Sequence, residues 1–118
     1  MKNTAPDIFR KRLLIEDYYN IDVIPETIKK FFWISRPVCL FVYGAPIVHA
    51  TSGIGKKINQ GYDGFIPLID SGIYIGVRVN KKFLWLVIYT CKDFDGHEAL
   101  RLTRLFFRST RLNINYFK

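Results

Sequence analysis

Three short apolar runs, separated by only a few polar residues, dominate the second half of the chain. They cover residues 65–69, 73–79 and 83–89 and are rich in β-branched and aromatic side chains. Parallel strands need a crossover of a dozen or more residues, so connections this short restrict the runs to antiparallel neighbours. The sequence therefore predicts an antiparallel meander, around which the rest of the chain must pack.

Regular elements are also predicted before the meander. Residues 12–19 predict a strand with one buried face. Pro25 suits the first position of a helix, and Glu26 suits its positive end, so a helix is expected from Pro25 to about Ile34. Its buried side is expected to carry Ile28, Phe31 and Phe32. Pro37 predicts a break, followed by a second strand over residues 38–43.

The sequence predicts a loop before the meander, and a helix and an edge strand after it. Glycine and proline interrupt residues 44–61, which predicts an irregular loop that is either mobile or facing a ligand. Asp95 and Glu98 have the spacing of a capping box, which predicts a helix to Phe107. Alternating apolar residues over 111–117 predict an edge strand.

Together these elements predict an α+β fold, a two-layer α/β sandwich in which a mainly antiparallel sheet carries two helices on one face. Residues 1–118 are expected to form a single domain, because the chain is too short for two cores. One face of the sheet would remain uncovered, and we therefore expect a homodimer.

Composition restricts the classes of partner. The net charge of +8 comes mostly from scattered pairs of basic residues, and the one organised group is Arg101, Arg104, Arg108 and Arg111. We interpret this group as a solvated helix face rather than a nucleic-acid site, and an anionic substrate or an acidic partner chain would explain the charge equally well. The sequence contains no membrane span or signal-peptide pattern, and its two cysteines lack metal-ligand spacing. We expect a cytoplasmic protein with no metal.

The turn Asp70-Ser71-Gly72 is the main candidate for chemistry. Asp, Ser and Gly are ordinary turn residues, and a tight turn is the alternative explanation. A serine hydroxyl held near its own preceding carbonyl can also attack it. The resulting ester can eliminate and leave a pyruvoyl group, which is an electrophile that no ordinary side chain supplies. His49 borders the irregular loop and is a candidate for lining the same site.

Several motifs resemble the S-adenosylmethionine decarboxylase family in its short prokaryotic form, of which this chain would be a divergent member. In chain order they are Arg12-Leu13-Leu14-Ile15-Glu16, Thr51-Ser52, Gln60-Gly61-Tyr62-Asp63-Gly64-Phe65, Asp70-Ser71 and Tyr89-Thr90-Cys91. Cys91 lies 20 positions after Ser71, which is the family's interval. Residues 93–107 resemble the family's second helix, so the similarity covers nearly the whole chain.

The resemblance implies a pyruvoyl-dependent decarboxylase of polyamine (spermidine) biosynthesis. Ser71 is implied as the precursor of the pyruvoyl cofactor, with autocatalytic cleavage after Asp70 into residues 1–70 and 71–118. Cys91 is implied as the proton donor after carbon dioxide leaves, and Glu16 as an assisting residue. We predict that Ser71 and Cys91 lie on neighbouring strands and face a common pocket.

The chain also departs from the family pattern. Gly76 stands in place of a histidine that aids processing, and Asp63 in place of a processing serine. Asn80 replaces the glutamate that binds the substrate ribose, and Lys57 stands where an aromatic ring stacks on adenine. With Asp63, His49, Lys57 and Asn80 as candidate substrate-binding residues, three hypotheses remain. The substrate is S-adenosylmethionine, or it is a basic amino acid such as ornithine or arginine held by Asp63, or the chain is an uncut, non-catalytic protein that acts as a ligand-binding or regulatory partner.

Overall fold

A computed structural model describes residues 10–39, 44–51, 56–69, 71–91 and 93–117. The elements, in chain order, are β1 (Lys11–Tyr18), α1 (Pro25–Cys39), β2 (Ile47–Thr51), a 3₁₀ turn (Lys57–Asn59), β3 (Gly61–Leu68), β4 (Ser71–Arg78), β5 (Phe83–Thr90), α2 (Gly96–Phe107) and β6 (Arg111–Phe117). Six strands form one sheet in the order β2-β3-β4-β5-β1-β6, and every neighbouring pair is antiparallel. The predicted α+β sandwich and its meander, β3 to β5, are confirmed.

The two faces of the sheet differ because alternate side chains of each strand point to opposite sides. One side, here called the inner face, packs against the helices and carries the fully buried side chains. These are Leu13 and Ile15 of β1, Ile66 of β3, Ile73, Ile75 and Val77 of β4, and Leu84, Leu86 and Ile88 of β5. The opposite side, here called the open face, is covered by neither described helix. Asp63 and Gly76 lie on this open face, whereas Ser71 continues the inner row of Ile73, Ile75 and Val77 at the end of β4.

Each helix is positioned by a specific residue: α2 by a cap at its own start, and α1 by a glycine of the sheet beneath it. The Asp95 carboxylate accepts hydrogen bonds from the backbone N–H groups of His97 and Glu98, which confirms the predicted start of α2. α1 crosses the sheet at Gly64, where an added Cβ would lie 2.9 Å from Ile28 of the helix. The absence of a side chain at Gly64 therefore lets α1 approach β3 closely. Neither helix that the structure describes is long and apolar enough to cross a bilayer.

The first helix is longer than the sequence pattern predicts. It continues past Pro37 to Cys39, so the predicted break is wrong, and the strand expected over 38–43 is not formed at its first two residues. Residues 40–43 lie outside the described part of the chain. A proline lacks the N–H that would bond the carbonyl four residues earlier and its ring crowds that carbonyl, at a cost of roughly 3 kcal/mol, so packing of the helix has to offset it. Burial of Phe31 and Phe32 anchors the preceding turns.

The described parts of the stretch 44–61, residues 44–51 and 56–61, are more regular than predicted. It contains the edge strand β2, which pairs with β3 from Ile47 opposite Phe65 to Thr51 opposite Gly61. β3 itself begins at Gly61, four residues before the apolar run that predicted it. Backbone pairing with a neighbouring strand stabilises these residues, which their own side chains do not mark as a strand.

Candidate functional site

Ser71 is the first residue of β4, directly after the turn that joins β3 to β4. It lies opposite Thr90, the last residue of β5, and the Ser71 Oγ lies 2.9 Å from the Thr90 Oγ1. The carbonyl of Ile69 also accepts from the Ser71 hydroxyl at 3.2 Å. The candidate nucleophile is thus partly buried and held by two neighbours. Asp70, the residue before it, lies outside the described residues.

Cys91 is the next residue after Thr90, at the end of the same pair of strands, and is a partly buried free thiol. The chain bends there, so strand alternation does not decide the direction of its thiol. A shallow depression of about 340 Å³ opens beside Ser71 and is lined by Phe65, Ser71, Gly72, Tyr74, Val87 and Tyr89. The depression is mostly aromatic and aliphatic. Ser71 contributes to it and Cys91 does not.

A lysine of β1, rather than Glu16, lies level with Ser71. Lys11 is the partner of Thr90 across the β1–β5 pair, so Ser71, Thr90 and Lys11 form one row across three strands. The Lys11 Nζ donates to the Phe94 carbonyl at 2.8 Å and lies 3.2 Å from the Asp93 carboxylate. Lys11 therefore ties the segment after Cys91 to the sheet.

Glu16 lies in a different row, near the middle of the sheet. It is opposite Trp85 of β5, which is in turn opposite Gly76 of β4. Along β1 it is five residues from Lys11, or about 17 Å at the usual rise of a strand. The structure therefore separates Glu16 from Ser71.

Two glycines of β4 are covered by aromatic rings on the open face. A Cβ at Gly76 would lie 2.3 Å from the Trp85 ring, and one at Gly72 would lie 2.9 Å from the Phe65 ring. The indole of Trp85 thus occupies the space that a side chain at position 76 would need. This is the position at which the family resemblance expects a histidine.

Asp63 already has two partners on the open face. Its carboxylate accepts from the Tyr74 hydroxyl at 2.9 Å and lies 3.3 Å from the Arg78 guanidinium. The guanidinium also lies over the Trp85 ring, 4.6 Å from its centroid. Burial, together with the hydrogen bond to Asp63, raises the pKa of Tyr74 to about 12. The Asp63 carboxylate therefore already has an ion-pair partner and a hydrogen-bond donor within the chain.

The other predicted substrate-binding residues lie away from Ser71. His49 is exposed on β2, opposite Asp63. Asn80 follows the far end of β4, and its side-chain amide donates to the Lys57 carbonyl at 2.6 Å. β4 spans about 23 Å from Ser71 to Arg78. Within one chain, Lys57 and Asn80 therefore do not share a pocket with Ser71.

Four residues near the site, Thr90, Tyr74, Arg78 and Trp85, have no role that the sequence patterns predict. Thr90 could have been singled out, because it is the hydroxyl residue that ends an otherwise apolar inner row of β5. Arg78 and Tyr74 alternate with buried residues of β4, but the pattern does not specify their partner. Among the residues that the structure describes, no cluster of three or more His, Cys, Asp or Glu side chains could hold a metal ion.

The fold and the position of Ser71 define an α+β sandwich with a serine at the start of a central strand. Among solved structures, the chain is similar to the adenosylmethionine decarboxylase from Aquifex aeolicus VF5, with a TM-score of 0.72. The match covers 95% of this chain and 91% of that one, at 14% sequence identity. No family model and no curated protein matches the sequence. The chain therefore has the fold of an adenosylmethionine decarboxylase.

Proposed function

We propose that this protein is a pyruvoyl-dependent decarboxylase whose reactive group is formed from Ser71. The observation that carries the proposal is the contact between the hydroxyl groups of Ser71, at the start of β4, and Thr90, at the end of β5. The chain also shares its fold with an adenosylmethionine decarboxylase over most of its length. A pyruvoyl group needs no separate binding pocket, because it is made from the chain itself. The requirements are a held serine hydroxyl and an acid close to it, and we assign these roles to Ser71, whose hydroxyl has two hydrogen-bond partners, and to Cys91 at the end of the neighbouring strand.

Formation of the group begins with an acyl shift. The Ser71 Oγ bonds to the carbonyl carbon of residue 70, the peptide C–N bond breaks, and the hydroxyl proton passes to the Ser71 nitrogen. Elimination then breaks the Cβ–Oγ bond with loss of the Ser71 α-proton, and water releases the nitrogen as ammonia. The products are residues 1–70 and a second chain of residues 71–118.

The pyruvoyl carbonyl supplies an electrophile for the α-amino group of an amino-acid substrate. The Cys91 thiol, at the end of the neighbouring strand, is the proton donor to the carbon that loses its carboxylate. Lys11 holds the segment that follows Cys91 and fixes this end of β5. Glu16 lies too far along the sheet to touch the same atoms in one chain and is assigned a role in shaping the open face.

Two substrate classes are compatible with this chemistry, S-adenosylmethionine and a basic amino acid such as ornithine or arginine. A basic amino acid would need a free carboxylate at Asp63 to bind its distal cation. Because Arg78 and Tyr74 bind that carboxylate, Asp63 favours the basic substrate less than the sequence suggests. Competition between carboxyl-labelled substrates measures the preference directly.

The open face is proposed as the contact surface of a homodimer. It exposes about two fifths of each of three large side chains, Tyr18, Phe65 and Tyr89, and half of Ile47. Six strands spaced about 4.8 Å apart and about 23 Å long present roughly 600 Å² in projection. This is of the order of the ~800 Å² per partner in a stable interface. A second copy, which presents the same exposed aromatic and aliphatic side chains on its own open face, is the proposed occupant.

A second candidate function is an uncut, non-catalytic partner protein. The covering of Gly76 by Trp85 favours it, since the position of the processing histidine is filled by a ring with no basic nitrogen. The two functions make opposite predictions about the covalent state of the chain.

Intact-mass measurement of the purified protein tests the proposal. We expect two chains, residues 1–70 and 71–118, the second lacking the Ser71 nitrogen. Ser71→Ala should give one uncut chain, because alanine has no hydroxyl. A wild-type chain that stays whole excludes the decarboxylase and supports the partner protein. Cleavage of Ser71→Ala at the same bond would instead indicate a contaminating protease.

A further inference from the structure

The two helices carry cationic and large apolar side chains on the sides that they turn away from the sheet. On α1 these are Lys29, Lys30, Trp33 and Ile34, all of which are exposed. Residues three or four positions apart are neighbours on a helix, so the four lie on one side of α1. Folding of a single chain therefore leaves apolar side chains in water beside positive charges.

The exposed side of α2 has the same combination. Arg101, Arg104 and Leu105 lie within about one turn of each other, Arg108 follows at the end of the helix, and all four are exposed. Leu105 is 63% exposed, the largest fraction for any large apolar side chain that the structure describes. Arg101 pairs with Glu98, whereas Arg108 forms no salt bridge to a described carboxylate.

The exposed sides of the two helices form one surface. The Phe31 ring of α1 lies 5.3 Å from the Phe106 ring and 4.8 Å from the Phe107 ring of α2, between centroids, so the helices lie side by side over the inner face. Their joint surface, here called the outer helical face, comprises the exposed residues of α1 and α2. Its cations outnumber its carboxylates, which are Glu26 and Glu98, and its net charge is therefore positive.

From this combination we infer that the outer helical face binds the surface of an anionic lipid bilayer. Lys and Arg side chains are attracted to anionic headgroups, and apolar side chains that enter the boundary of the acyl chains lose contact with water. Trp is enriched at this boundary, because its ring is amphipathic. A bilayer also takes up side chains that protrude from a helix, as Leu105 does, without a complementary pocket.

Other occupants match this surface less well. A second copy presents the same positive charge on its own helices and is repelled. A nucleic acid would bind the cations through its phosphates but would leave Leu105 and Ile34 in water. An acidic protein helix needs a groove for its apolar anchors, whereas Leu105 projects outward. The proposed dimer uses the open face, so it leaves the outer helical face accessible, and the inference does not depend on cleavage at Ser71.

The test is cosedimentation of the purified protein with vesicles of mixed phosphatidylglycerol and phosphatidylcholine, compared with phosphatidylcholine alone. We expect binding to the anionic vesicles only, weakened by added salt. Lys30→Gln and Arg108→Gln should each weaken it about fivefold, and Leu105→Ala about tenfold. Lys56→Gln and Ile58→Ala are the matched controls and should bind like the wild type, because both residues are exposed in the connection between β2 and β3.

Tryptophan emission reports which face meets the bilayer. The two tryptophans of the chain are Trp33, on the outer helical face, and Trp85, on the open face. Emission should shift to shorter wavelength when the anionic vesicles are added, because the Trp33 ring leaves water. Trp33→Phe should abolish this shift.

Each outcome decides the inference. Weaker binding of the three helix variants, with both controls unchanged, supports it. Absence of binding to anionic vesicles overturns it and leaves the proposed function intact. Equal weakening by Lys30→Gln and Lys56→Gln, with no effect of Leu105→Ala, indicates attraction by net charge alone and also overturns it. An emission shift that persists in Trp33→Phe overturns the assignment to this face. Binding of a DNA duplex or of polyglutamate in place of the vesicles assigns the face to a nucleic acid or to an acidic protein.

Discussion

The indole ring of Trp85 lies directly over Gly76 of the neighbouring strand, where an added Cβ would be 2.3 Å from the ring. The two residues are cross-strand partners on the open face, and the ring also contacts the Arg78 guanidinium. Glycine at 76 is thus required by the position of the ring. The Trp85 ring also packs against the rings of Tyr74 and Phe83, so it cannot move away from Gly76 without losing these contacts and that with Arg78.

Gly76→Ala should destabilise the protein by about 2 kcal/mol, since it forces an overpacked contact with a ring that is held in place. Gly72→Ala is the matched control, because its Cβ would meet Phe65 at 2.9 Å and the Phe65 side chain is 42% exposed and can shift. We expect the control to cost less than half as much. Urea unfolding of both variants measures the difference, and equal costs would contradict the role assigned to Trp85.

Cys91→Ala should be cut at the normal rate but release carbon dioxide at least about 100-fold more slowly, because its thiol acts after processing. Mass spectrometry and release of labelled carbon dioxide separate the two steps. Cys39→Ala is the control and should retain activity. Turnover that survives in Cys91→Ala would remove the thiol from the mechanism.

Asp17 is expected to make stability depend on pH. It is fully buried in β1, the Ser109 hydroxyl donates to its Oδ2 at 2.6 Å, and its Oδ1 has no hydrogen-bond partner among the described residues. Burial raises the pKa of Asp17, partly opposed by the Ser109 hydrogen bond and the charge of Arg104. The folded state therefore binds this proton more tightly than the unfolded state. The stabilisation is present below about pH 4 and is lost as pH rises through the raised pKa.

Asp17→Asn should accordingly increase the free energy of unfolding at neutral pH by on the order of 1 kcal/mol, because it removes a buried charge. The gain should shrink towards zero as the pH falls to about 4. Thermal unfolding across this range measures it. Asp22→Asn, an exposed carboxylate nearby, is the control and should show no such trend. Parallel curves for Asp17→Asn and the wild type would contradict the prediction.

Lys82 has a left-handed backbone, with φ of 48°, in the turn between β4 and β5. Since a Cβ is unfavourable there, Lys82→Gly should stabilise the protein by about 0.5 to 1 kcal/mol. Lys81→Gly, at the preceding exposed position with negative φ, should not stabilise it. Chemical denaturation of the pair tests the assignment, and a gain from Lys81→Gly as large as that from Lys82→Gly would count against it.

Tyr89→Lys should dissociate the proposed homodimer, because it places a charge in the exposed apolar patch that Tyr89 forms with Phe65 and Val87. Leu105→Lys is the matched control, since Leu105 is 63% exposed on α2, on the other side of the molecule. Analytical ultracentrifugation should show a dimer for the wild type and for Leu105→Lys, and a monomer for Tyr89→Lys. A monomeric wild type would exclude this interface.

The sequence by itself determined the elements whose cause is local. The short connections of the meander allow only antiparallel pairing, and Asp95 caps α2 through its own neighbouring N–H groups. The inner rows of β4 and β5 follow from simple alternation of apolar residues. Each of these properties depends on residues close together in the chain, which a pattern can represent.

The tertiary structure alone decided the features that depend on neighbouring strands. Packing of Phe31 and Phe32 carries α1 past Pro37, and pairing with β3 makes a strand of Ile47–Thr51. The register determines that Thr90 lies beside Ser71, that Arg78 pairs with Asp63, and that Trp85 covers Gly76. A shift of one residue in pairing would reverse the face of every side chain in a strand. The partners of the candidate site residues are therefore a property of the register, which local sequence patterns do not specify.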